Sequence, residues 1–371
     1  MSNPFLDPQP RPETTDGVYS EIERGLANRN HGVILETLAM DVTPTGAHYL
    51  LTHFDVPLLD AGAHRLKFHG AFSNPFDIGM DDIKALPQVT MPVTLECGGN
   101  GRARMPGRNH SMPWANEAVG TSEWTGTPLK PLIEQAGPTG GVEDFVFTGA
   151  DFGFDDGIPH AYGRSLTPDE FDALDVLLVH EMNGQPLMPQ HGAPLRIVVP
   201  GWFGMASVKW LTDIEAITSR YQGFQQVQTY RMRQVPDEPG DPLNEIVVKS
   251  LMVPPGVPDW TSRRRFMHPG EVTILGRAWS GGGRKITKVE FGVGDDWTEA
   301  TLHRRKGEYA WTKWTCDWDA PIGEHVLRCR ATDEAGNVQP IQAPWNLSGF
   351  AINSVQEVDV TVSDRFTEVP G

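Results

Sequence analysis

The amino-acid sequence predicts an α+β fold in which a mixed α/β domain is followed by an immunoglobulin-like β-sandwich. Its 371 residues are enough for two to three domains at roughly 150 residues each. Up to about residue 218, short apolar runs typical of buried strands are mixed with helix-like stretches. From about residue 244, strand-like segments follow one another at regular spacing without helices.

Three parts of the chain follow from this change of pattern. The first 31 residues are polar and proline-rich, so we expect residues 1–31 to form an extended arm. The mixed domain is expected over residues 32–240 and the sandwich over residues 241–371. Between the two patterns, the polar and proline-rich stretch 234–243 predicts a linker.

The strands and helices of the mixed domain are predicted from runs of apolar residues. Four compact runs of apolar and β-branched residues end at glycine or polar residues, as buried strands do. These runs are residues 93–97, 142–150, 176–182 and 195–201. Two stretches, 80–87 and 127–137, carry apolar residues at helical spacing and end at proline or glycine, which predicts helices.

The C-terminal part contains five alternating segments with turn sequences between them, which is typical of a β-sandwich. The predicted strands lie within residues 271–280, 286–296, 309–318, 323–334 and 358–364. Five tryptophans in this part are interpreted as the sandwich core or a dimer face; they are Trp279, Trp297, Trp311, Trp314 and Trp318.

Composition excludes several classes of partner. The formal net charge of −17 argues against nucleic acid or an anionic membrane as the main partner. No stretch approaches 18 apolar residues, so no membrane span is expected. Without a visible export signal, the chain is expected to be soluble and cytoplasmic. Its three cysteines are too few for a disulfide framework; one bridge between Cys316 and Cys329 is conceivable, but a reduced chain is the simpler interpretation.

Cys97 is the residue that points most directly to chemistry. It ends an apolar strand and enters a glycine-rich turn in the segment TLECGGNGR, residues 94–102. A thiolate at a strand end beside an arginine is expected to be exposed to a ligand and favoured as the anion. Such a group could be a nucleophile, a redox sensor or a ligand for a soft transition metal, whereas a small buried hydrophobe is the alternative.

Several segments together closely resemble the sulfite oxidase family of molybdenum enzymes. They are TLECGGNGR, residues 180–201 (HEMNGQPLMPQHGAPLRIVVPG), SVKWL, AWSGGGR and the late NVQP and WNL segments, and the likeness covers roughly residues 45–365. The resemblance implies a molybdopterin-binding catalytic domain, one pyranopterin molybdenum cofactor and a C-terminal immunoglobulin-like domain that forms a homodimer contact. It places Cys97 at the single protein ligand to molybdenum.

The resemblance also implies which residues hold the cofactor. These are His53, Tyr162, Ser165, His191, Arg196, Ser207 and Lys209. His191 and Arg196 correspond to residues at the phosphate end of the pterin, where the guanidinium fork can donate two parallel hydrogen bonds to an oxyanion. Tyr162 and Ser165 lie on a loop that borders the cofactor in the family.

The substrate pocket departs from the family pattern. Arg102, Tyr230 and Trp114 correspond to an arginine, a tyrosine and a tryptophan around the substrate anion, but two further expected arginines are replaced by Leu51 and Ser348. Each lost charge-assisted contact could weaken anion binding by about 1.5–3 kcal/mol. Replacements are offered by the loop 102–114, which carries Arg104, Arg108 and His110.

The resulting expectation is a molybdenum oxidoreductase that transfers an oxygen atom with sulfite, giving sulfate, or with a related small oxyanion. No CxxCH motif is present, so no haem is expected and the electron acceptor must be external. One alternative keeps the cofactor but acts on an S- or N-oxide, because the pocket is less cationic. A more distant alternative is a non-catalytic cofactor-binding or interaction protein.

One acidic cluster carries no signal of a function. Asp151, Asp155 and Asp156 fall in the segment GADFGFDDG, for which a solvated turn is the default interpretation.

Overall fold

The mixed domain is built from two five-stranded sheets in the computed structural model, which describes residues 27–106 and 111–365. The strands of this part are β1 (Arg65–Gly70), β2 (Phe76–Gly79), β3 (Val89–Glu96), β4 (Val119–Pro128), β5 (Asp144–Asp155), β6 (Ile158–Leu166), β7 (Leu177–Met182), β8 (Gln185–Pro186), β9 (Arg196–Val198) and β10 (Leu211–Ile217). The first sheet has the order β2-β1-β10-β5-β6, and the second has the order β3-β4-β7-β8 with β9 also paired to β7.

The first sheet is mixed. Strands β1 and β10 run parallel, whereas β1 and β2, β10 and β5, and β5 and β6 are antiparallel. The parallel pair is distant in sequence, so it must be joined by a long connection, and that connection contains the second sheet. The segment with Cys97 leaves the end of β3 in this second sheet.

The described helices of the mixed domain are short, and two of the three lie within the stretches predicted to be helical. They are α1 (Met80–Ala85), α2 (Lys130–Ala136) and α3 (Pro168–Asp172). Helix α2 begins three residues later than the predicted stretch 127–137, because β4 continues to Pro128. A capping box closes the start of α3, where the Thr167 hydroxyl accepts from the Glu170 N–H and the Glu170 carboxylate accepts from the Thr167 N–H.

Short helical turns connect the strands around the site described below. The 3₁₀ turns are Leu35–Ala39, Thr45–Ala47, Arg102–Arg104, Pro189–His191 and Gly204–Ala206, and Gln225–Thr229 forms a π-helical turn. The predicted linker 234–243 contains a short strand, since β11 (Arg231–Met232) pairs with β12 (Asp241–Pro242).

The C-terminal part consists of two packed sheets, as expected for a sandwich. Its strands are β13 (Lys249–Met252), β14 (Val257–Pro258), β15 (Arg265–Met267), β16 (Gly270–Trp279), β17 (Ile286–Val293), β18 (Asp296–Glu299), β19 (Thr301–Leu302), β20 (Thr312–Ala320), β21 (Gly323–Asp333) and β22 (Gln356–Val362). The sheet orders are β13-β16-β20-β19 and β14-β15-β22-β21-β17-β18. Alternate residues of β20 and β21 face inward, and this burial pattern holds the two sheets together.

Three of the five tryptophans expected in the sandwich core or a dimer face lie outside that core; one of them, Trp297, is half-buried, with the Cζ of Arg330 4.5 Å from its ring centre. Trp314 and Trp318 lie in the sandwich core, but Trp279 and Trp311 belong to the apolar core of the first domain. The boundary between the two parts is therefore a continuous apolar interface rather than a flexible joint. All three cysteines are free thiols.

Candidate functional site

Cys97 lies at the first position after β3, in a tight loop that leads to the 3₁₀ turn at Arg102. Its N–H donates to the carbonyl of Ala118, and the N–H of Asn100 donates back to the Cys97 carbonyl, both at 2.9 Å. Gly101 has a φ of 98°, and a Cβ there would lie 2.4 Å from the carbonyl oxygen of Ile352. The glycines of this segment are needed because the backbone turns sharply against another part of the chain.

The thiol of Cys97 differs from the expectation of an exposed, anionic group. Cys97 is only 7% exposed, and burial raises its pKa. The Gly99 N–H and the nearby Arg102 lower the pKa in part, but burial outweighs them. A metal ion that binds this sulfur would displace its proton and hold it as the thiolate.

Two cavities meet at Cys97. The inner pocket has a volume of about 660 Å³ including space open to solvent. It is lined by His48, Tyr49, Leu50, Leu51, His53, Leu95, Cys97, Gly98, Asp151, Tyr162, His191, Arg196, Gly204, Met205, Ser207, Lys209 and Tyr230. The outer cleft, of about 1820 Å³ including space open to solvent, shares Leu51, His53, Cys97 and Tyr230 with it. Cys97 can therefore contact a group that reaches both cavities.

The inner pocket is lined by six of the seven predicted cofactor residues, all except Ser165. Arg196 is held by the carbonyls of His191 and Ser207, each 3.0 Å from its guanidinium, and its Cζ lies 4.9 Å from the ring centre of Trp124. Lys209 donates to the carbonyls of Leu51 and Gln190 at 3.0 and 3.1 Å. The Ser207 hydroxyl accepts from a backbone N–H, so its own hydrogen remains available to a ligand.

The basic side chains of the inner pocket perturb one another. Burial and the neighbouring Arg196 lower the pKa of Lys209 to about 7. Burial also lowers the pKa of Arg196 to about 10, and the opposing effect of Tyr49 does not cancel it. Burial together with His48, Arg196 and Lys209 lowers the pKa of His191 to about 3. An anionic ligand would offset this repulsion and raise the pKa values of these basic groups, so the pocket favours such a ligand.

Asp151 corrects the interpretation of its cluster as a solvated turn. It is 4% exposed and lines the inner pocket, and burial raises its pKa to about 6. Its Oδ1 atom has no hydrogen-bond partner among the described residues. Asp155 and Asp156 line the outer cleft instead. Sequence alone did not distinguish these three carboxylates: Asp151 lies in the part of β5 that packing buries, whereas Asp155 and Asp156 lie at the less buried end of the strand and in the turn after it.

A cluster of the rings of His53, Tyr162 and Tyr230 lies where the two cavities meet. The Nε2 atom of His53 lies 2.6 Å from the Tyr230 hydroxyl, and the Tyr162 hydroxyl donates to the Met205 carbonyl at 2.7 Å. Burial lowers the pKa of His53 to about 3, with Lys209 adding to the effect, and it raises the pKa of Tyr230. His53 is therefore neutral at pH 7, and its ring can exchange a hydrogen bond with Tyr230.

Arg102 and Trp114 both lie in the outer cleft, next to Cys97. Arg102 is 7% exposed, and its guanidinium donates to the carbonyls of Ser348 and Met112 at 2.8 and 3.2 Å. Its Cζ lies 5.2 Å from the ring centre of Phe350. The arginine is thus fixed in place before any ligand binds, which removes the entropy cost of ordering it.

The remaining predicted residues divide into those the site includes and those it does not. Ser165 is not in the lining of the inner pocket: its N–H donates to Gln226, and it lies beside Asp144. Arg104 does not replace a pocket arginine, because it pairs with Glu357 of the sandwich at 3.6 Å. The other proposed replacements, Arg108 and His110, lie outside the described residues.

Two functional candidates escaped the sequence reasoning. Arg29 lines the outer cleft although it belongs to the predicted arm, and its neighbour Asn30 is buried and accepts the N–H of Thr52 at 2.6 Å. Arg164 is 2% exposed, and its Cζ lies 5.7 Å from the ring centre of Tyr230. No sequence signal identifies either residue, because Arg29 reaches the cleft and Arg164 reaches the Tyr230 ring only through packing between distant segments.

The inner pocket fits a pterin that ends in a phosphate and carries a metal. Its buried arginine, lysine and hydroxyl provide donors for an anion. The unpartnered Asp151 oxygen provides an acceptor for N–H groups, and the Cys97 sulfur at the far side provides a ligand for a soft metal.

Comparison with known proteins identifies two regions of the chain. Residues 53–225 match the family described as "Oxidoreductase molybdopterin binding domain", and residues 241–363 match the "Mo-co oxidoreductase dimerisation domain". The human mitochondrial sulfite oxidase is 32% identical over 352 residues, which cover 87% of this chain and 62% of the human protein. The sulfite oxidase of Arabidopsis thaliana is 31% identical, with 85% of this chain and 87% of that protein covered.

Two further similarities extend this set. The NADH nitrate reductase of Ulva prolifera is 31% identical over 85% of this chain and 40% of its own length. The chain therefore spans less than two thirds of both the algal and the human relative. The sulfane dehydrogenase SoxCD from Paracoccus pantotrophus has the same fold, with a TM-score of 0.77, 24% identity and coverage of 98% of this chain and 99% of that chain.

A membrane-crossing helix is absent from the part of the chain that the structure describes. The resemblance noted in the sequence is confirmed by both family matches and by relatives more than 30% identical over most of the chain. The chain belongs to the sulfite oxidase family of molybdopterin-containing oxidoreductases.

Proposed function

We propose that this protein binds a pyranopterin molybdenum cofactor in the inner pocket and oxidises a small sulfur oxyanion, sulfite to sulfate, in the outer cleft. The observation that carries the proposal is the position of Cys97 at the junction of the two cavities. A metal held by its sulfur would lie between a cationic pocket suited to a phosphate and a cleft that holds Arg102. When bound, the cofactor supplies two-electron oxygen-atom chemistry at molybdenum.

In this proposal, the residues of the inner pocket bind and orient the cofactor. Arg196, Lys209 and His191 hold its anionic end, and Ser207 donates its hydroxyl hydrogen to it. Lys209 would regain its proton fully beside the phosphate, because an added negative charge raises a lysine pKa. His53 and Tyr162 border the pterin, and Asp151 accepts hydrogen bonds from its N–H groups. Ser165 is left out of this set, because it is not in the pocket lining.

The residues of the outer cleft would orient the substrate. Arg102 would pair with the oxyanion from a position already fixed by two carbonyls. The Tyr230 hydroxyl would donate to a substrate oxygen while His53 accepts or returns its hydrogen bond. Trp114 would form an apolar wall that excludes water, so that the interaction between Arg102 and the anion strengthens.

The decisive experiment is a turnover assay on protein whose molybdenum content has been measured. Sulfite would be the donor and ferricyanide the one-electron acceptor, with formation of sulfate followed by ion chromatography. Saturable, sulfite-dependent reduction that is lost in Arg102→Met would support the proposal. Molybdenum-loaded protein that reduces no acceptor at any sulfite concentration would contradict it.

A second candidate function is favoured by the apolar wall of the outer cleft. Leu51, Phe54, Met112, Phe154 and Phe350 line it, and Leu51 occupies the position of an expected arginine. Such a wall suits an uncharged S- or N-oxide, which would be reduced rather than oxidised. Oxidation of a reduced viologen dye that depends on dimethyl sulfoxide or trimethylamine N-oxide, in the absence of sulfite turnover, would select this candidate.

The electron acceptor and the oligomeric state belong to the same proposal. We infer that an external acceptor receives the electrons one at a time. We also infer a homodimer, because residues 241–363 match a dimerisation domain.

A further inference from the structure

Glu96, the residue before Cys97, is completely buried, and its carboxylate accepts hydrogen bonds from three donors. Lys249 Nζ lies 2.6 Å and Asn100 Nδ2 3.0 Å from Oε1, while the indole N–H of Trp279 donates to Oε2 at 2.8 Å. Glu96 is 0% exposed and Lys249 2%. A carboxylate so placed is fully satisfied, and its position is fixed by its donors.

Two of these donors come from the sandwich rather than from the catalytic domain. Lys249 lies on β13 and Trp279 on β16, which are neighbours in one sheet. The pair between Glu96 and Lys249 joins residues 153 positions apart in the sequence. The strand that ends beside Cys97 is thus attached directly to the C-terminal sheet.

The third donor belongs to the cysteine loop itself. Asn100 gives its amide hydrogen to Glu96, and its Oδ1 accepts the N–H of Ala118 at 3.1 Å. The Lys249 ammonium also donates to the Asn100 carbonyl at 3.3 Å. Residues on both sides of Cys97 are therefore held by the same buried lysine.

The C-terminal chain contacts this loop at a second place. The N–H of Ala351 donates to the Gly98 carbonyl at 2.9 Å. A Cβ at Gly98 would lie 2.4 Å from Leu243 Cδ2, so the loop has no space to shift toward that side. Contacts from residues 243, 249, 279 and 351 surround residues 96–100.

Stability alone does not account for a buried ion pair at this place. Removing two charges from water costs about as much as their attraction returns, and apolar residues of similar volume often give an equally stable protein. What the pair does provide is geometry, since a charged hydrogen bond fixes distance and direction better than an apolar contact.

We propose that Lys249 and Trp279 are positioning residues that act through Glu96 to set the location of the Cys97 sulfur. The sandwich then has a role in the catalytic site of its own chain, in addition to any role in dimerisation. The inference rests on the proposed function only in that Cys97 is taken as the metal ligand.

The test compares Lys249→Met with Arg277→Met. Arg277 is an equally buried cation on the same sheet, 2% exposed, whose hydrogen bonds go to the carbonyls of Leu38 and Ala39 and whose ion pair goes to Asp41. In the cofactor-free full-length chain, iodoacetamide labelling of each cysteine is followed by mass spectrometry, with Cys329 as the internal reference. We expect Lys249→Met to speed labelling of Cys97 about tenfold over wild type, and Arg277→Met to leave it unchanged.

The loaded protein gives a second readout. Loss of positioning should weaken or shift the visible absorption band that arises from the bond between a thiolate and molybdenum, and it should lower kcat with little change in KM. Equal labelling rates and identical spectra in wild type and Lys249→Met would overturn the proposal.

The double variant Glu96→Gln with Lys249→Met separates positioning from stability. It removes both buried charges together, so its urea midpoint should recover toward wild type. A glutamine has one acceptor oxygen for the two remaining donors, so Cys97 labelling should stay fast. If slow labelling of Cys97 returned together with the urea midpoint, the role of the pair between Glu96 and Lys249 would be structural only. Labelling does not depend on turnover, so an inactive wild type would refute the proposed function without affecting this test.

Discussion

At the scale of single residues, the Cys97 thiol is the group whose removal should separate folding from function. Cys97→Ser is expected to abolish sulfite-dependent turnover, because a serine hydroxyl is a poor ligand for a soft metal. The free energy of unfolding of the cofactor-free chain should change by no more than about 1 kcal/mol, since the two side chains have nearly the same shape.

Cys316→Ser is the matched control for this substitution. Cys316 is also a free, buried thiol, 8% exposed, but it lies in the sandwich core. Turnover by this variant should equal that of wild type. A Cys97→Ser protein with full activity at normal molybdenum content would show that Cys97 is not the metal ligand.

Leu51 is the residue at which the substrate charge can be tested. It lines both cavities, and an arginine at this position would add a second cation near Arg102. Leu51→Arg should lower the KM for sulfite by about tenfold or more, the effect of one added charge-assisted hydrogen bond. Initial rates over a sulfite series would measure the change, with Leu51→Met as the uncharged control. An unchanged KM in Leu51→Arg would mean that Leu51 does not limit anion binding.

Lys209 makes the stability of the cofactor-free protein depend on pH. Its pKa is about 7 in the folded chain, because of burial and Arg196, and about 10.4 when unfolded. Between these values the unfolded state binds more protons, so the contribution of Lys209 to stability rises with pH from about 7 and levels off above about 10.4.

The comparison with Lys209→Met isolates this effect. Urea unfolding at pH 7, 8 and 9 should show wild type gaining on the variant by up to about 1.4 kcal/mol per pH unit. Phosphate-bearing cofactor should suppress the gain, because it stabilises the protonated lysine. If the difference in free energy of unfolding between wild type and Lys209→Met stayed constant with pH, Lys209 would keep its ordinary pKa in the folded chain.

At the scale of elements, strand β4 depends on a glycine where it meets β7. A Cβ at Gly126 would lie 1.8 Å from the Leu178 carbonyl oxygen, at a register shift in the pairing of the two strands. Gly126→Ala should therefore destabilise the protein by roughly 3 kcal/mol or more, because backbone rather than a flexible side chain must move.

Gly140→Ala provides the control for Gly126→Ala. A Cβ at Gly140 meets no atom within 4 Å, so its effect on stability should stay within about 0.5 kcal/mol. Chemical denaturation of both variants measures the difference. Equal stabilities would show that β4 and β7 can separate locally without cost.

At the scale of the whole molecule, the C-terminal sandwich is expected to join two chains. Light scattering after size exclusion should give twice the chain mass of 41.0 kDa at micromolar concentration. The strongly negative net charge of −17 opposes association at low salt, so the dimer fraction should rise with ionic strength. A mass of one chain across the whole salt range would contradict the homodimer.

The regular elements could be predicted from the sequence because they depend on local pattern. Alternating or compact apolar runs identify β3, β7, β16, β20 and β21, and the stop signals identify α1 and α2. The motif around Cys97 and the segment near Arg196 identify the family without any structure. Such a pattern places the apolar residues of a strand or helix on one face, which is then buried, so local sequence is sufficient to predict these elements.

Only the tertiary structure decided which side chains share a site. The burial of Asp151, the place of Arg29 in the outer cleft and that of Arg164 beside Tyr230 depend on segments far apart in the chain. The same holds for the absence of Ser165 and Arg104 from the site and for the raised pKa of Cys97. The pair between Glu96 and Lys249 shows this most clearly, since neither residue carries a signal of its own. Distance, burial and charge compensation arise when the sheets pack, so they cannot be predicted from one segment at a time.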